Sequence, residues 1–152
     1  MVARKIAASR RILCASPAYL KQHGSPESPA DLAKHRLLSY SIPGRESWGF
    51  VQDGKRVDMR VSSRVTADQA ELLLDLAREG MGIARLPEFL LMKDIAAGVV
   101  VPLLTQYSAR EPIYAIVRTR RNVSQRLRVF IDFVEEKLRG AAWNLDARPV
   151  AK

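Results

Sequence analysis

Apolar and polar positions are patterned most clearly between Val65 and Pro87, VTADQAELLLDLAREGMGIARLP. Leu72, Leu73, Leu76 and Ala77 recur at helical spacing and mark a buried face. Asp68 with Glu71 has capping-box spacing, and Thr66 with Gln69 has it in the alternative register; either would satisfy amide N–H groups of the first turn. Gly80 suits the left-handed position after a helix, with Met81 closing back on Leu76 as in a Schellman cap. Gly82, Ile83, Ala84 and Leu86 form a short apolar run that Pro87 stops. The stretch therefore predicts a strand end, a helix, a glycine stop and a buried strand. Such a helix points its N-terminus at the carboxyl edge of the strands, where open α/β sheets bind ligands. A well-capped core helix with no ligand accounts for the same residues.

Around this unit the pattern predicts strands interleaved with helices. Arg11–Ala15 reads as a strand, and Ser16-Pro17 opens a short helix to His23 that Gly24 ends. Ser28 caps a second short helix, Pro29–Lys34, and Leu37–Tyr40 is a short strand before a polar loop, Ile42–Ser47. Trp48–Val51 and Lys55–Val61 flank Gln52-Asp53-Gly54, a hairpin signal, with Val57, Met59 and Val61 expected on a buried face. Pro87–Ala97 is expected as a helix, Val99–Leu103 as a buried strand, Thr105–Arg110 as a loop and Pro112–Val117 as another buried strand. After a charged turn, Arg118–Asn122, Ser124 caps a last helix with the apolar stripe Leu127, Phe130, Ile131, Val134 and Leu138. Residues 141–152 lack periodicity and read as a loose tail. The fold class is α/β. The first strand is apolar on both sides and needs neighbours, yet the chain before Arg11 supplies none, so an unpaired apolar edge, marginal stability and self-association are expected.

Composition narrows this picture in three ways. The 152 residues, 47% hydrophobic and 27% charged, suit one ordinary globular domain. No apolar run approaches the ~18 residues of a membrane span. The basic start MVARKIAASRRILCAS has the composition of a transit peptide, but its RRILCAS end reads as a buried strand, and a cytoplasmic protein is expected. Cys14, the single cysteine, excludes an intrachain disulfide; it reads as a buried inert thiol, a reactive thiol being the alternative. The net charge of +9 is scattered, without a run of five like charges, so a solvated basic surface is favoured over direct nucleic-acid binding.

The residues do not assemble an enzyme. His23 and His35 flank helix ends in polar surroundings, and Asp31, Glu135 and Glu136 read as solvated. No Gly-x-Ser-x-Gly, His-Glu-x-x-His, P-loop or dinucleotide fingerprint occurs. Catalysis, metal and cofactor are not expected.

Four stretches, taken together, resemble one family. RRILCASPAYLKQHGSPESPADLAKHRLLSY, WGFVQDGKRVDMRVSSRVTAD, AREGMGIARLPEFLLMKDIAAGVVVPLL and SQRLRVFIDFVEEKL are similar, in order and spacing, to the effector-binding domain of LysR-type transcriptional regulators, from about Val2 to Gly140. The resemblance implies a periplasmic-binding-protein-like fold of two α/β subdomains joined by two crossing strands, with a small molecule between them. Residues 1–16 would then be the end of subdomain I and the first crossing, 17–117 a complete subdomain II, 118–140 the second crossing end and the return helix of subdomain I, and 141–152 the tail. The family's helix-turn-helix and the opening of subdomain I have no counterpart here, so the chain is expected to be truncated, and DNA binding to belong to the full-length protein only.

On that footing Ser16, at the end of the first crossing, and Thr66 and Asp68, at the start of the central helix, are expected to bind the effector, a helix N-terminus there favouring an anion. Asp68 would compete with an anionic ligand. Gly82 is expected at the effector site too, and Arg85, after it in the following strand, would offset Asp68 or bind a carboxylate bidentately, or else is a surface or ion-paired arginine. Trp48 and Phe50 line the pocket or pack the core. Two functions follow: an effector-sensing part of a LysR-type regulator, or a non-sensing fragment that binds and modulates a full-length regulator.

Overall fold

The computed structural model describes residues 2–42, 47–117 and 124–144. The expected turn Arg118–Asn122 and most of the loop after Ile42 lie outside them. The chain divides into two compact units, residues 11–109 and residues 1–10 with 110–152. The first strand, β1 (Val2–Ala15), contributes to both. It is far longer than the expected Arg11–Ala15.

In the unit 11–109 a sheet runs in the order β5 (Val65–Ala67), β2 (Leu37–Tyr40), β6 (Ile83–Pro87), β1, β7 (Val101–Leu103). β5, β2 and β6 are parallel, whereas β1 is antiparallel to both β6 and β7. The expectation of an unpaired Arg11–Ala15 is thus overturned: Cys14 faces Ala84 on one side and Pro102 on the other. The missing neighbours come from far downstream, not from the residues before Arg11.

Both faces of this sheet are covered, which is why Ile12–Ala15 of β1 are apolar at every position. Ile12 and Cys14 turn to one face with Leu38, Ala84 and Leu86, against Leu73, Leu74 and Ala77 of α2 (Ala70–Arg78) and Leu91 of α3 (Glu88–Ala96). Leu13 and Ala15 turn to the other with Leu37 and Ile83, against Tyr19 of α1 (Pro17–His23), Leu32 of a 3-10 turn (Pro29–Lys34), and Trp48 and Phe50. Each leucine so buried stabilises the fold by about 1.5–3 kcal/mol. Trp48 and Phe50 are therefore core residues. Cys14 is completely buried, and burial pushes its thiol pKa up to about 12, so the inert reading holds.

The caps differ from expectation in instructive ways. Gly80 (φ +73°) donates to Ala77 O and Met81 N donates to Leu76 O at 3.0 Å, a complete Schellman motif. At the other end of α2 no side chain caps: Gln69 is the N-cap, so Asp68 and Glu71 are one residue out of capping register. The buried stripe is Leu73, Leu74 and Ala77, with Leu76 at its margin and Leu72 exposed, because the run of three leucines permits two helical phases. Ser16 does cap α1, accepting from Tyr19 N at 3.2 Å. Asp31, read as solvated, instead accepts from the N–H and hydroxyl of Ser28, which holds its carboxyl below the usual carboxylate range.

The hairpin β3 (Ser47–Gln52) and β4 (Lys55–Arg60) forms as expected, with Asp53 and Gly54 both at positive φ as a type I′ turn requires. The expected buried face of its outer strand forms only in part: Val57 is exposed, Met59 is half-buried against the core that Trp48 and Phe50 of β3 enter, and Val61, one residue past β4, is buried in it. Residues Thr105–Tyr107, expected as loop, make a 3-10 turn.

In the other unit, residues 2–10 of β1 pair antiparallel with β8 (Arg110–Val117), with a bulge between Lys5 and Ala7. Ser124 caps α4 (Gln125–Arg139), accepting from Leu127 N. Of the expected stripe, Ile131, Val134 and Leu138 are half-buried, whereas Leu127 and Phe130 are exposed. Glu135, read as solvated, pairs with Arg4 and Arg139. Of the expected loose tail, residues 145–152 lie outside the described ones, and the Asn144 side chain is held, accepting from Ala8 N and donating to Leu138 O.

Candidate functional site

Pairing of two short parallel strands builds the site. Ser39 of β2 stands opposite Thr66 of β5. Their neighbours Leu38 and Ala67 pack toward α2, so both hydroxyls lie on the opposite face of the sheet. Arg85 lies between Ala84 and Leu86, which also pack on the α2 side, and thus shares the face of Ser39 and Thr66. Polar residues therefore follow one another across β5, β2 and β6 on the face that otherwise carries the second core.

A groove of about 660 Å³ opens at the carboxyl ends of β2 and β5. Ser39, Ser41, Ser62, Ser63, Thr66 and Arg60 supply its polar lining, with Tyr40 and Ile42 among the rest. Ser39 is only 6% exposed, and its hydroxyl makes no hydrogen bond to any described residue. No buried side-chain polar atom among the described residues lacks a partner, so this hydroxyl is open to the groove and available to a ligand polar group. Ser63 is already used: it donates to Leu37 O and accepts from Val65 N, tying the groove wall to β2. Arg60, at the end of β4, is exposed and has no ion-pair partner among the described residues. The Arg11 guanidinium lies 5.7 Å from the centroid of the Tyr40 ring, a residue that packs on the α2 side of the sheet.

The structure disperses the residues singled out from sequence. Thr66 lines the groove, and Asp68 follows it, exposed, in the bend before α2. Ser16 lies elsewhere: its hydroxyl caps α1 and sits 3.3 Å from where a Cβ on Gly80 would stand. Thr66 and Asp68 thus flank the N-terminal end of α2 and Ser16 its C-terminal end, roughly 13 Å of helix apart. Gly82 permits a close backbone approach, since a Cβ there would lie 2.5 Å from Arg36 O. Arg85 is neither a surface residue nor placed beside Asp68 by any contact; 9% exposed, it donates to Gly49 O at 3.2 Å beneath β3.

Ser39, Ser62 and Arg60 were not singled out from sequence. The only signal was the serine pairing in LLSYS and VSSR, which becomes a site only when β2 and β5 align. His35 forms a separate cluster: its Nδ1 lies 3.1 Å from the Tyr19 hydroxyl, which accepts from Arg36 N, and burial lowers the His35 pKa. Among the described residues no group of His, Cys, Asp and Glu has metal-binding geometry, and no helix is long and apolar enough to cross a membrane.

The family model of the LysR substrate binding domain matches residues 1–139. The chain is 38% identical over 138 residues to the HTH-type transcriptional regulator CrgA of Neisseria meningitidis serogroup C, covering 90% of this chain and 46% of that regulator. It thus spans about half the length of the curated relatives it matches. The solved regulatory domain of CrgA from Neisseria meningitidis superposes with a TM-score of 0.76 at 36% identity, over 90% of this chain and 68% of that one. The regulatory domain of AphB from Vibrio vulnificus gives 0.74 at 30% identity, over 90% and 68%. The chain belongs to the LysR substrate-binding-domain family, and its fold is the periplasmic-binding-protein-like one of LysR regulatory domains.

Proposed function

We propose that this chain is the effector-sensing part of a cytoplasmic LysR-type transcriptional regulator, and that a small anionic metabolite binds in the groove at the carboxyl ends of β2 and β5. The Ser39 hydroxyl, open to the groove and not engaged by any described residue, together with Arg60 on the same lining, carries this reading. Arg60 supplies the charge and Ser39 and Thr66 the hydrogen bonds, while the exposed Asp68, two residues after Thr66, disfavours ligands with more negative charge than Arg60 offsets. Arg85 fixes β3 over the sheet and so sets the groove from below. Ser16 and Gly82 act through structure alone. DNA binding belongs to the whole regulator, which responds when effector occupancy shifts the balance of its conformations.

Small molecules that co-purify with the protein, identified by mass spectrometry, test the reading. An acidic compound is expected, with occupancy reduced about tenfold in Arg60→Gln. A neutral compound retained equally by the variant would replace it.

A second reading, an interaction fragment acting on a full-length regulator, is favoured by one observation: Val129, Phe130 and Phe133 of α4 are more than half exposed. Concentration-dependent self-association of the isolated chain in analytical ultracentrifugation is expected on that reading, and a strictly monomeric chain would remove it.

A further inference from the structure

A second cavity, of about 430 Å³, lies at the opposite, amino ends of β2 and β5. Leu37, Leu38, Val65 and Met81 line it together with Arg36 and Arg64. It shares only Ser62 with the groove, so the segment between β4 and β5 stands as a wall between the two. The volume falls within the range of small-molecule sites.

The arginines distinguish this cavity from an ordinary surface hollow. Within residues 11–109, Arg56 pairs with Asp58, Arg78 with Asp75 and Asp94, and Arg85 donates to Gly49 O, while Arg11 stacks on Tyr40. The described arginines of this unit whose side chains have no partner are Arg36, Arg60 and Arg64, and each of them lines a cavity. No acidic residue lines the second one. His35 also borders it, but its Nδ1 is engaged with the Tyr19 hydroxyl, so the two guanidiniums carry the charge.

We infer that this cavity is a second ligand site, for a small carboxylate with an aliphatic body. Two guanidiniums suit a carboxylate. Val65 and Met81 offer the apolar surface that suits a hydrocarbon chain, Leu37 and Leu38 being buried behind them, and no Phe, Tyr or Trp is among the lining residues to stack on a ring. The site is independent of the proposed effector groove and of what that groove binds.

Hexanoate is the probe, titrated into the intact chain and followed by amide chemical shifts in ¹H–¹⁵N spectra. Saturable shifts are expected at Arg36, Arg64 and Met81, with Ser39 and Thr66 unmoved. Arg36→Gln and Arg64→Gln each weaken binding about tenfold, whereas Arg60→Gln leaves it unchanged. Because both arginine side chains are exposed and unpartnered, neither variant compromises the fold. Hexanol binding as well as hexanoate would overturn the carboxylate, and inorganic phosphate binding as well would overturn the aliphatic body. Shifts confined to Ser39 and Thr66, unaltered binding in both variants, or no binding at all would overturn the site. If the effector groove proves empty while hexanoate still binds at Arg36 and Arg64, this inference survives the failure of the functional reading.

Discussion

The two units use apolar residues in opposite ways. In residues 11–109 alternate positions of β1, β2 and β6 feed one of two cores, and Leu73 of α2 and Leu91 of α3 are completely buried. In the other unit β8 alternates exposed and half-buried positions along its length, and α4 buries no residue. Tyr114 and Ile116 of β8 are exposed, as are Phe130 and Phe133 of α4. An amphipathic pattern thus states that a helix has a face to bury; it does not state what in the same chain will cover it.

That contrast can be tested by truncating one side chain in each unit. Leu86→Ala, in the doubly covered sheet, should destabilise the chain by about 2–5 kcal/mol in denaturant unfolding. Phe130→Ala, 60% exposed, should remain within about 0.5 kcal/mol of the parent. A comparable loss at Phe130 would show that α4 is covered in solution. The smallest effect belongs to Asp31 on the exposed side of the better-packed unit. Its carboxyl pKa is lowered by hydrogen bonds from Ser28, so it stabilises the fold above the unfolded carboxylate pKa of about 3.9. The stability difference between the parent and Asp31→Asn is therefore expected at neutral pH, shrinking as pH falls through the lowered value. A difference that persists at the acid end of a pH series of melts would assign the effect to shape instead of charge.

Local chemistry made much of the fold legible. Ser16-Pro17, Asp53-Gly54, Gly80 and Ser124 each solve a local backbone problem, and each ends or turns an element where expected. Phase and partnership were harder to read. Leucines at 72, 73 and 74 left the buried stripe of α2 ambiguous until the alanines at 70 and 77 met the sheet. The site was least legible, because it depends on strands being side by side. Thr66 was identified through its place before a helix, but Ser39 and Arg60 become neighbours of Thr66 only through β2–β5 and β3–β4 pairing. Arg85 reads as a surface cation in isolation and is buried because β3 crosses above it with a carbonyl to receive it.

The placement of β1 also bears on the order in which the chain can assemble. Ile12–Ala15 leave the ribosome before every other strand of their sheet, yet one flank waits for Ile83–Pro87 and the other for Val101–Leu103. Closing such long loops is entropically slow. In a nascent chain this apolar segment therefore lacks both partners until Val101–Leu103 have emerged from the ribosome, which makes it a natural place for a chaperone to hold.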